Sequence, residues 1–113
     1  MKLLTLLCLL FGLTSNTLAQ ENEAYIDEGY DLVVNRKMGN CLACHMIQGE
    51  DGPGYFGPPL ISMKARFPDR EVLFNQIWDA TIKNPNTSMP PFGKNMILTK
   101  QDIEKIVSYL LTL

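Results

Sequence analysis

A cysteine pair followed at once by a histidine is the part of this sequence whose residue types and spacing could do chemistry. Cys41 and Cys44 are separated by two residues, and His45, the chain's single histidine, comes next. Two thiols and an imidazole can act as a redox dithiol, contribute to a zinc site, or fasten a haem to the chain. The rest of the sequence has to decide among these three chemistries.

The first 19 residues have the pattern of a secretory signal peptide. A lysine precedes an apolar run at residues 3–13, and Ala19 ends the segment with a small side chain. The run is shorter than the roughly 20 residues that a transmembrane helix needs. We therefore expect residues 1–19 to be cleaved during export, taking Cys8 with them. Residues 20–113 are then expected to form one domain in the periplasm, without a membrane anchor.

Charge and cysteine count narrow the classes of protein further. The full chain has a formal net charge of −2, and loss of the signal peptide removes only one lysine, so the remainder is mildly acidic. This balance argues against a nucleic-acid-binding protein. Cys41 and Cys44 would be the last cysteines left. A disulfide between cysteines so close in sequence constrains the unfolded chain little, so a structural staple does not explain the pair.

The haem reading is the one that uses all three side chains. A thioredoxin-like motif requires βαβ surroundings, whereas the flanks here favour helices. A structural zinc site requires four ligands, and the chain after cleavage offers three of the usual nitrogen and sulfur kind. The C-x-x-C-H spacing is that of c-type haem attachment. We therefore predict one covalent haem c, with Cys41 and Cys44 bonded to its vinyl groups and His45 directed at the iron.

Three amphipathic helices are predicted to surround this haem. The first runs from Glu23 to Lys37 and ends near Gly39. The second covers "PDREVLFNQIWDATIK", starting at Pro68 or Asp69, and its expected apolar side is Val72, Leu73, Gln76, Ile77 and Ala80. The third begins with a T-x-x-D capping signature at Thr99, and its expected core positions are Ile103, Ile106, Val107 and Leu110. The rest is predicted to be loop, rich in glycine and proline.

This order of elements resembles class I cytochrome c over the whole of residues 20–113. The resemblance implies an all-α fold of three main helices and proline- and glycine-rich loops around one covalent haem. It also implies a second axial ligand, a methionine that starts an M-P-x segment some forty residues beyond the histidine. Met89 in "SMPPF" lies 44 residues after His45. The other candidates are expected to pack in the haem crevice, with Met96 the main rival: Met38, Met46, Met63 and Met96.

The same resemblance assigns two residues in "FGPPL" to the proximal side of the haem. The carbonyl of Pro58 would accept the Nδ1 proton of His45, and Leu60 would lie against the porphyrin. The alternative is that Pro58 and its proline neighbour only stiffen a loop. An iron held by a histidine and a methionine has no vacant position, so we expect electron transfer rather than oxygen chemistry. The exposed haem edge is expected among Met46, Ile47 and Phe92.

Within the cytochromes, the sequence is similar to the SoxX family, the mono-haem subunit of the SoxXA complex. The resemblance rests on "GNCLACH", the G-P-x-L segment and "NPNTSMPPFGKNMILTKQDIEKIVSYL". It implies a SoxA-like cytochrome partner whose own haem site joins thiosulfate to a cysteine of a carrier protein, an L-cysteine S-thiosulfotransferase activity. This chain would accept the electrons and relay them to a downstream acceptor. A free-standing class I electron shuttle is the alternative.

Overall fold

The computed structural model describes residues 22–113, and its regular elements are helical. They are α1 (22–34), α2 (Met63–Arg66), α3 (Arg70–Trp78) and α4 (Lys100–Leu110), with short 3₁₀ turns at Cys41–Ala43 and Ala80–Ile82. Because no strand forms within these residues, the all-α prediction is confirmed. None of the helices in this part of the chain has the length and apolar character needed to cross a membrane. The predicted signal peptide lies outside the described residues.

Helix α4 forms as its sequence predicts because its first turn is capped reciprocally. The Thr99 hydroxyl accepts a hydrogen bond from the backbone N–H of Asp102 (3.1 Å), and the Asp102 carboxylate accepts one from the backbone N–H of Thr99 (2.9 Å). This arrangement satisfies two N–H groups that would otherwise lack partners. All four expected core positions of the helix are buried: Ile103, Ile106, Val107 and Leu110.

Helices α1 and α4 cross at Gly29, where the two backbones come close together. A Cβ at this position would lie 2.7 Å from the carbonyl carbon of Lys105 and 3.0 Å from the Cβ of Tyr109. One residue further on, the Tyr30 ring meets the Tyr109 ring edge to face, with 5.4 Å between centroids. The crossing therefore depends on the missing side chain of Gly29.

Helix α1 ends three residues earlier than the sequence pattern predicts. Asn35 stops it, because its side chain accepts a hydrogen bond from the backbone N–H of Lys37 (2.9 Å) and its carbonyl accepts from Met38 (3.1 Å). Such local bonds compete with continuation of a helix. The chain then turns back, so that the N–H of Gly39 donates to the carbonyl of Leu32 at 3.0 Å.

Helix α3 is shorter than predicted, and one of its expected core residues faces solvent. Asp69 caps its start, as expected, by accepting a hydrogen bond from the N–H of Glu71 (2.9 Å). The helix ends at Trp78 because the side chain of Asp79 bonds to the next turn. Leu73, Ile77 and Ala80 are buried as predicted, and Gln76 is half-buried. Val72, at 39% exposure, does not belong to the core.

Helix α2 lies where the sequence predicts a loop, and tertiary contacts explain its presence. It starts after Ser62, whose backbone is in the left-handed region (φ 51°) and whose side chain makes no capping bond. The N–H of Met63 instead donates to the carbonyl of Leu113 at the other end of the domain (3.0 Å). Met63 is buried in the hydrophobic core, and its expected place in a haem crevice stays a prediction.

The hydrophobic core joins residues from every helix and from the loops between them. Two of its members, Ile47 and Phe92, were expected at an exposed edge, and that expectation is wrong because both side chains are buried. Leu60 is buried in the same cluster. Its other buried members are Val33, Met63, Leu73, Ile77, Leu98, Ile103, Ile106, Val107 and Leu110.

Candidate functional site

The cysteine motif forms a tight 3₁₀ turn directly after α1. Asn40 enters the turn in the left-handed region (φ 50°), a conformation that asparagine tolerates better than most residues. The carbonyl of Cys41 accepts hydrogen bonds from the N–H groups of Cys44 (3.1 Å) and His45 (2.8 Å). The two sulfur-bearing residues and the imidazole are therefore held on one turn of backbone, as their spacing predicts.

A loop at residues 54–60 runs alongside this turn and is bonded to it three times. The N–H groups of Gly54, Gly57 and Leu60 donate, in that order, to the carbonyls of Leu42 (2.7 Å), Cys44 (2.8 Å) and Met46 (2.8 Å). Each of these bonds joins backbone to backbone, so it depends on the path of the chain more than on side-chain type. These bonds therefore hold the loop in a fixed position beside the cysteine motif.

The loop at residues 54–60 orients the imidazole of His45. Its Nδ1 lies 2.7 Å from the carbonyl oxygen of Pro58, the hydrogen bond that the family resemblance implies. A carbonyl oxygen can only accept, so Nδ1 must carry the proton and donate it. In a neutral ring the proton is then absent from Nε2, whose lone pair is available to a metal. Pro58 therefore does more than stiffen the loop, because it selects the tautomer of His45.

Two glycines, Gly54 and Gly57, allow the loop at residues 54–60 to approach the cysteine motif so closely. The sequence analysis assigned no such role to either of them. A Cβ on Gly57 would lie 2.5 Å from Nδ1 and 2.8 Å from Nε2 of His45, so any side chain there would overlap the imidazole. A Cβ on Gly54 would lie 2.6 Å from the carbonyl carbon of Ala43. The repeated glycines in "GPGYFGPP" were the available signal, since glycine in a loop can mark a close backbone approach.

The environment of Cys41 is unlike that of a redox-active cysteine. The two thiols of the motif are free, and burial raises the pKa of Cys41 to about 11. A nucleophilic or redox cysteine needs a lowered pKa so that the thiolate is present near neutral pH. Cys41 is instead a neutral thiol packed against the hydrophobic core. This setting suits a covalent attachment point and does not support the thioredoxin-like alternative.

Met89 is held on a loop that also packs against the core. Its side chain is half-buried against the same hydrophobic cluster as Cys41, and its N–H donates to the hydroxyl of Thr87 (3.1 Å). The rival Met96 is 89% exposed and lies in a left-handed turn with φ 54°. The expectation that Met96 packs in a crevice is therefore wrong, whereas Met89 is half-buried against the core.

The side chains around the cysteine turn fit a covalently attached haem. They supply two free thiols, an imidazole with Nε2 available, and an apolar core against which Cys41, Leu60 and Met89 all pack. Within residues 22–113, no three histidine, cysteine, aspartate or glutamate side chains come together as a metal site of their own. A haem would find here sulfur atoms for its attachment, and one nitrogen and one thioether that could serve as iron ligands.

Comparisons with known proteins agree with this chemistry. The family model described as "Cytochrome C oxidase, cbb3-type, subunit III" matches residues 24–110, most of the chain. A chain in the crystal structure of SoxXA from P. pantotrophus superposes with a TM-score of 0.68 and 28% sequence identity. The similarity covers 76% of this chain and 79% of that one. Among curated proteins, none matches the sequence.

Proposed function

Since the chain belongs to the cytochrome c family described as cytochrome c oxidase, cbb3-type, subunit III, we propose that it carries one covalent haem c as the electron-accepting subunit of a SoxXA-type complex. It is an electron-transfer cytochrome with the class I fold and resembles SoxX. The proposed attachment residues are Cys41 and Cys44, and the proposed iron ligands are His45 and Met89. Such a haem supplies a metal that takes up and releases one electron at a time.

The hydrogen bond between His45 and Pro58 is the observation that carries the haem assignment. By holding the proton on Nδ1, the Pro58 carbonyl leaves Nε2 free and fixes the plane of the ring. The glycine at position 57 allows this carbonyl and its loop to reach the ring.

Haem attachment is tested on a denaturing gel stained for haem. The chain, produced in a periplasm that attaches haem to exported cytochromes, should keep its haem after denaturation because thioether bonds are covalent. The variant with both Cys41→Ser and Cys44→Ser should lose the stain. A variant at an exposed position, Ala24→Ser, is the control and should keep it. A wild-type chain that is folded and active without haem would contradict the assignment.

We further propose that residues 1–19 direct export and that the partner in the periplasm is a SoxA-like cytochrome. Export is proposed from the sequence of residues 1–19 alone. The partner is proposed from the likeness to the SoxXA chain; an iron held by both His45 and Met89 could not bind thiosulfate without losing a ligand. Joining the sulfur of thiosulfate to a cysteine thiol of a carrier protein releases two electrons and the thiol proton. Catalysis would take place in the partner, and the haem of this chain would receive the electrons one by one.

Copurification from the native periplasm separates a complex subunit from a free-standing shuttle. A subunit should elute with a second haem protein, and only the pair should join thiosulfate to a carrier cysteine while the haem of this chain becomes reduced. A stable pair generally buries more surface than the roughly 1,200 Å² or less of transient redox encounters. A chain that elutes alone, and that is reduced by a respiratory donor but not during thiosulfate turnover, would establish the shuttle instead.

A further inference from the structure

Asp79 is the buried charged side chain of the described domain, and neither haem attachment nor the iron ligands account for it. It is 5% exposed and directly follows α3. Its carboxylate accepts hydrogen bonds from the backbone N–H and the hydroxyl of Thr81, and it pairs with the ammonium group of Lys94 at 3.3 Å. A buried carboxylate is costly unless it is paired and hydrogen-bonded, so these partners explain how it is tolerated.

The partner Lys94 belongs to the loop that presents Met89. The N–H groups of Gly93 and Lys94 both donate to the carbonyl of Trp78, at 3.1 and 3.2 Å. Gly93 lies directly on the indole ring, since a Cβ there would be 2.7 Å from Cζ3 of Trp78. The loop is thus fastened to the C-terminal end of α3 by two backbone bonds, one ring contact and one ion pair.

The loop residues that precede Met89 make fewer contacts with other elements. The N–H of Met89 bonds to the hydroxyl of Thr87, and the N–H of Thr87 bonds to the carbonyl of Asn84 (3.0 Å). These bonds are local to the loop and do not tie it to another element. The position of the thioether relative to the rest of the domain is therefore fixed by the attachment to α3, by the buried ring of Phe92 and by the packing of Met89 itself against the core.

We propose that Asp79 and Lys94 are positioning residues, whose ion pair clamps the loop to the end of α3 and keeps the Met89 thioether in place as an iron ligand. This inference rests on the proposed function, because it takes Met89 to be that ligand. Asp79 binds the 3₁₀ turn through Thr81 and the loop through Lys94, so it joins the two segments directly. Without the pair, Met89 would be held less firmly as a ligand, and a haem bound here would lose the thioether that makes it a good electron acceptor.

The test separates release of the loop from unfolding of the domain. The haem-loaded chain is titrated with urea while the weak red band of thioether-bound ferric haem and the far-UV circular dichroism are both recorded. Asp79→Asn and Lys94→Gln should each raise the equilibrium constant for loop release by roughly 3- to 10-fold. Because they break the same pair, the double variant should exceed the larger single effect only slightly. Lys94→Arg, which keeps the charge, should restore most of the loss.

Glu104→Gln is the matched control, since it removes another ion pair of similar chemistry, between α3 and α4. Glu104 and Arg70 lie 2.8 Å apart and have no contact with the methionine loop among their described bonds. This variant should shift the red band and the circular dichroism together. If the Asp79 and Lys94 variants do the same, or if only Asp79→Asn has an effect, the clamp is refuted and Asp79 merely stabilises the fold.

A second measurement distinguishes failure of the clamp from failure of the proposal that Met89 is an iron ligand. If the wild-type protein has no red band, Met89 is not the ligand and that part of the proposed function fails. The fastening of the loop is then decided by hydrogen exchange at the amides of Gly93 and Lys94, which report the bonds to Trp78. Faster exchange in Asp79→Asn than in Glu104→Gln would support the fastening, and equal rates would overturn it.

Discussion

Replacing Gly57 by alanine should displace the imidazole of His45. The new Cβ would lie 2.5 Å from Nδ1 and 2.8 Å from Nε2, about 1 Å short of ordinary contact distances. Neither side can yield easily, because the ring is bonded to Pro58 (2.7 Å) and the N–H of Gly57 to Cys44 (2.8 Å). The φ angle of Gly57 is not in the left-handed region, so alanine adds no backbone strain and the substitution tests the contact alone.

The expected loss of stability combines three contributions to the free energy of unfolding. Overpacking of this kind costs about 1 to 3 kcal/mol, and loss of the hydrogen bond to Pro58 adds about 0.5 to 1.5 kcal/mol. The reduced freedom of the unfolded chain returns about 0.4 to 1 kcal/mol. Gly57→Ala should therefore lower the free energy of unfolding by about 0.5 to 4 kcal/mol. It should also change the visible spectrum, because the angle at which His45 meets the iron changes.

Urea unfolding of the haem-loaded chain, followed by circular dichroism and haem absorbance, measures both effects. Phe56→Ala is the control: it alters the neighbouring residue, whose side chain is 89% exposed, and should change stability by less than about 0.5 kcal/mol. If Gly57→Ala unfolds at the same urea concentration as the wild type and keeps its spectrum, the ring of His45 does not lie against this glycine. The loop would then not fix the orientation and tautomer of His45 either.

Three further predictions concern the helix crossing, the iron ligand and pH. Gly29→Val should cost on the order of 1 to 3 kcal/mol, measured by urea unfolding, because α1 must move away from α4; Ala24→Val, at an exposed position of α1, should not. Met89→His should abolish the red band of the ferric haem, and the same loss in Met96→Leu would show that the ligand is wrong. Hydrogen bonding from Thr81, aided by Lys94, lowers the pKa of Asp79, so its stabilisation is present above about pH 4 and is lost as the pH falls through the lowered pKa. The difference in stability between wild type and Asp79→Asn, measured by urea unfolding, should accordingly shrink between pH 7 and pH 3.

Several features that depend on neighbours in sequence were predicted correctly, although the ends of α1 and α3, set by local bonds of Asn35 and Asp79, were not. The spacing of Cys41, Cys44 and His45 places them on one turn because three or four residues make one turn of any helix. The capping signature at Thr99 and the 3.6-residue period after it predicted α4 and its buried face, since both are local to the helix. The resemblance to class I cytochromes added the Pro58 carbonyl, which the structure places on His45.

Features that depend on distant parts of the chain required the tertiary structure. Ile47 and Phe92 are apolar loop residues, and nothing local shows whether such a side chain enters the core. Helix α2 has no capping signature and begins where Met63 bonds to Leu113, 50 residues away along the chain. Lys94 is an exposed loop lysine, and nothing in its local sequence shows that it pairs with the buried Asp79.

The close approaches at three glycines show most clearly the difference between local features and features that depend on distant parts of the chain. A sequence reveals that Gly29, Gly57 and Gly93 lack side chains, but not what occupies the space. That space belongs to a helix carbonyl, an imidazole and an indole ring, each brought there by another segment. Local propensity is a property of a few consecutive residues, whereas contact is a property of the folded chain. The residue types therefore determine which chemistry the site can do, and the packing of the folded chain determines where each group lies.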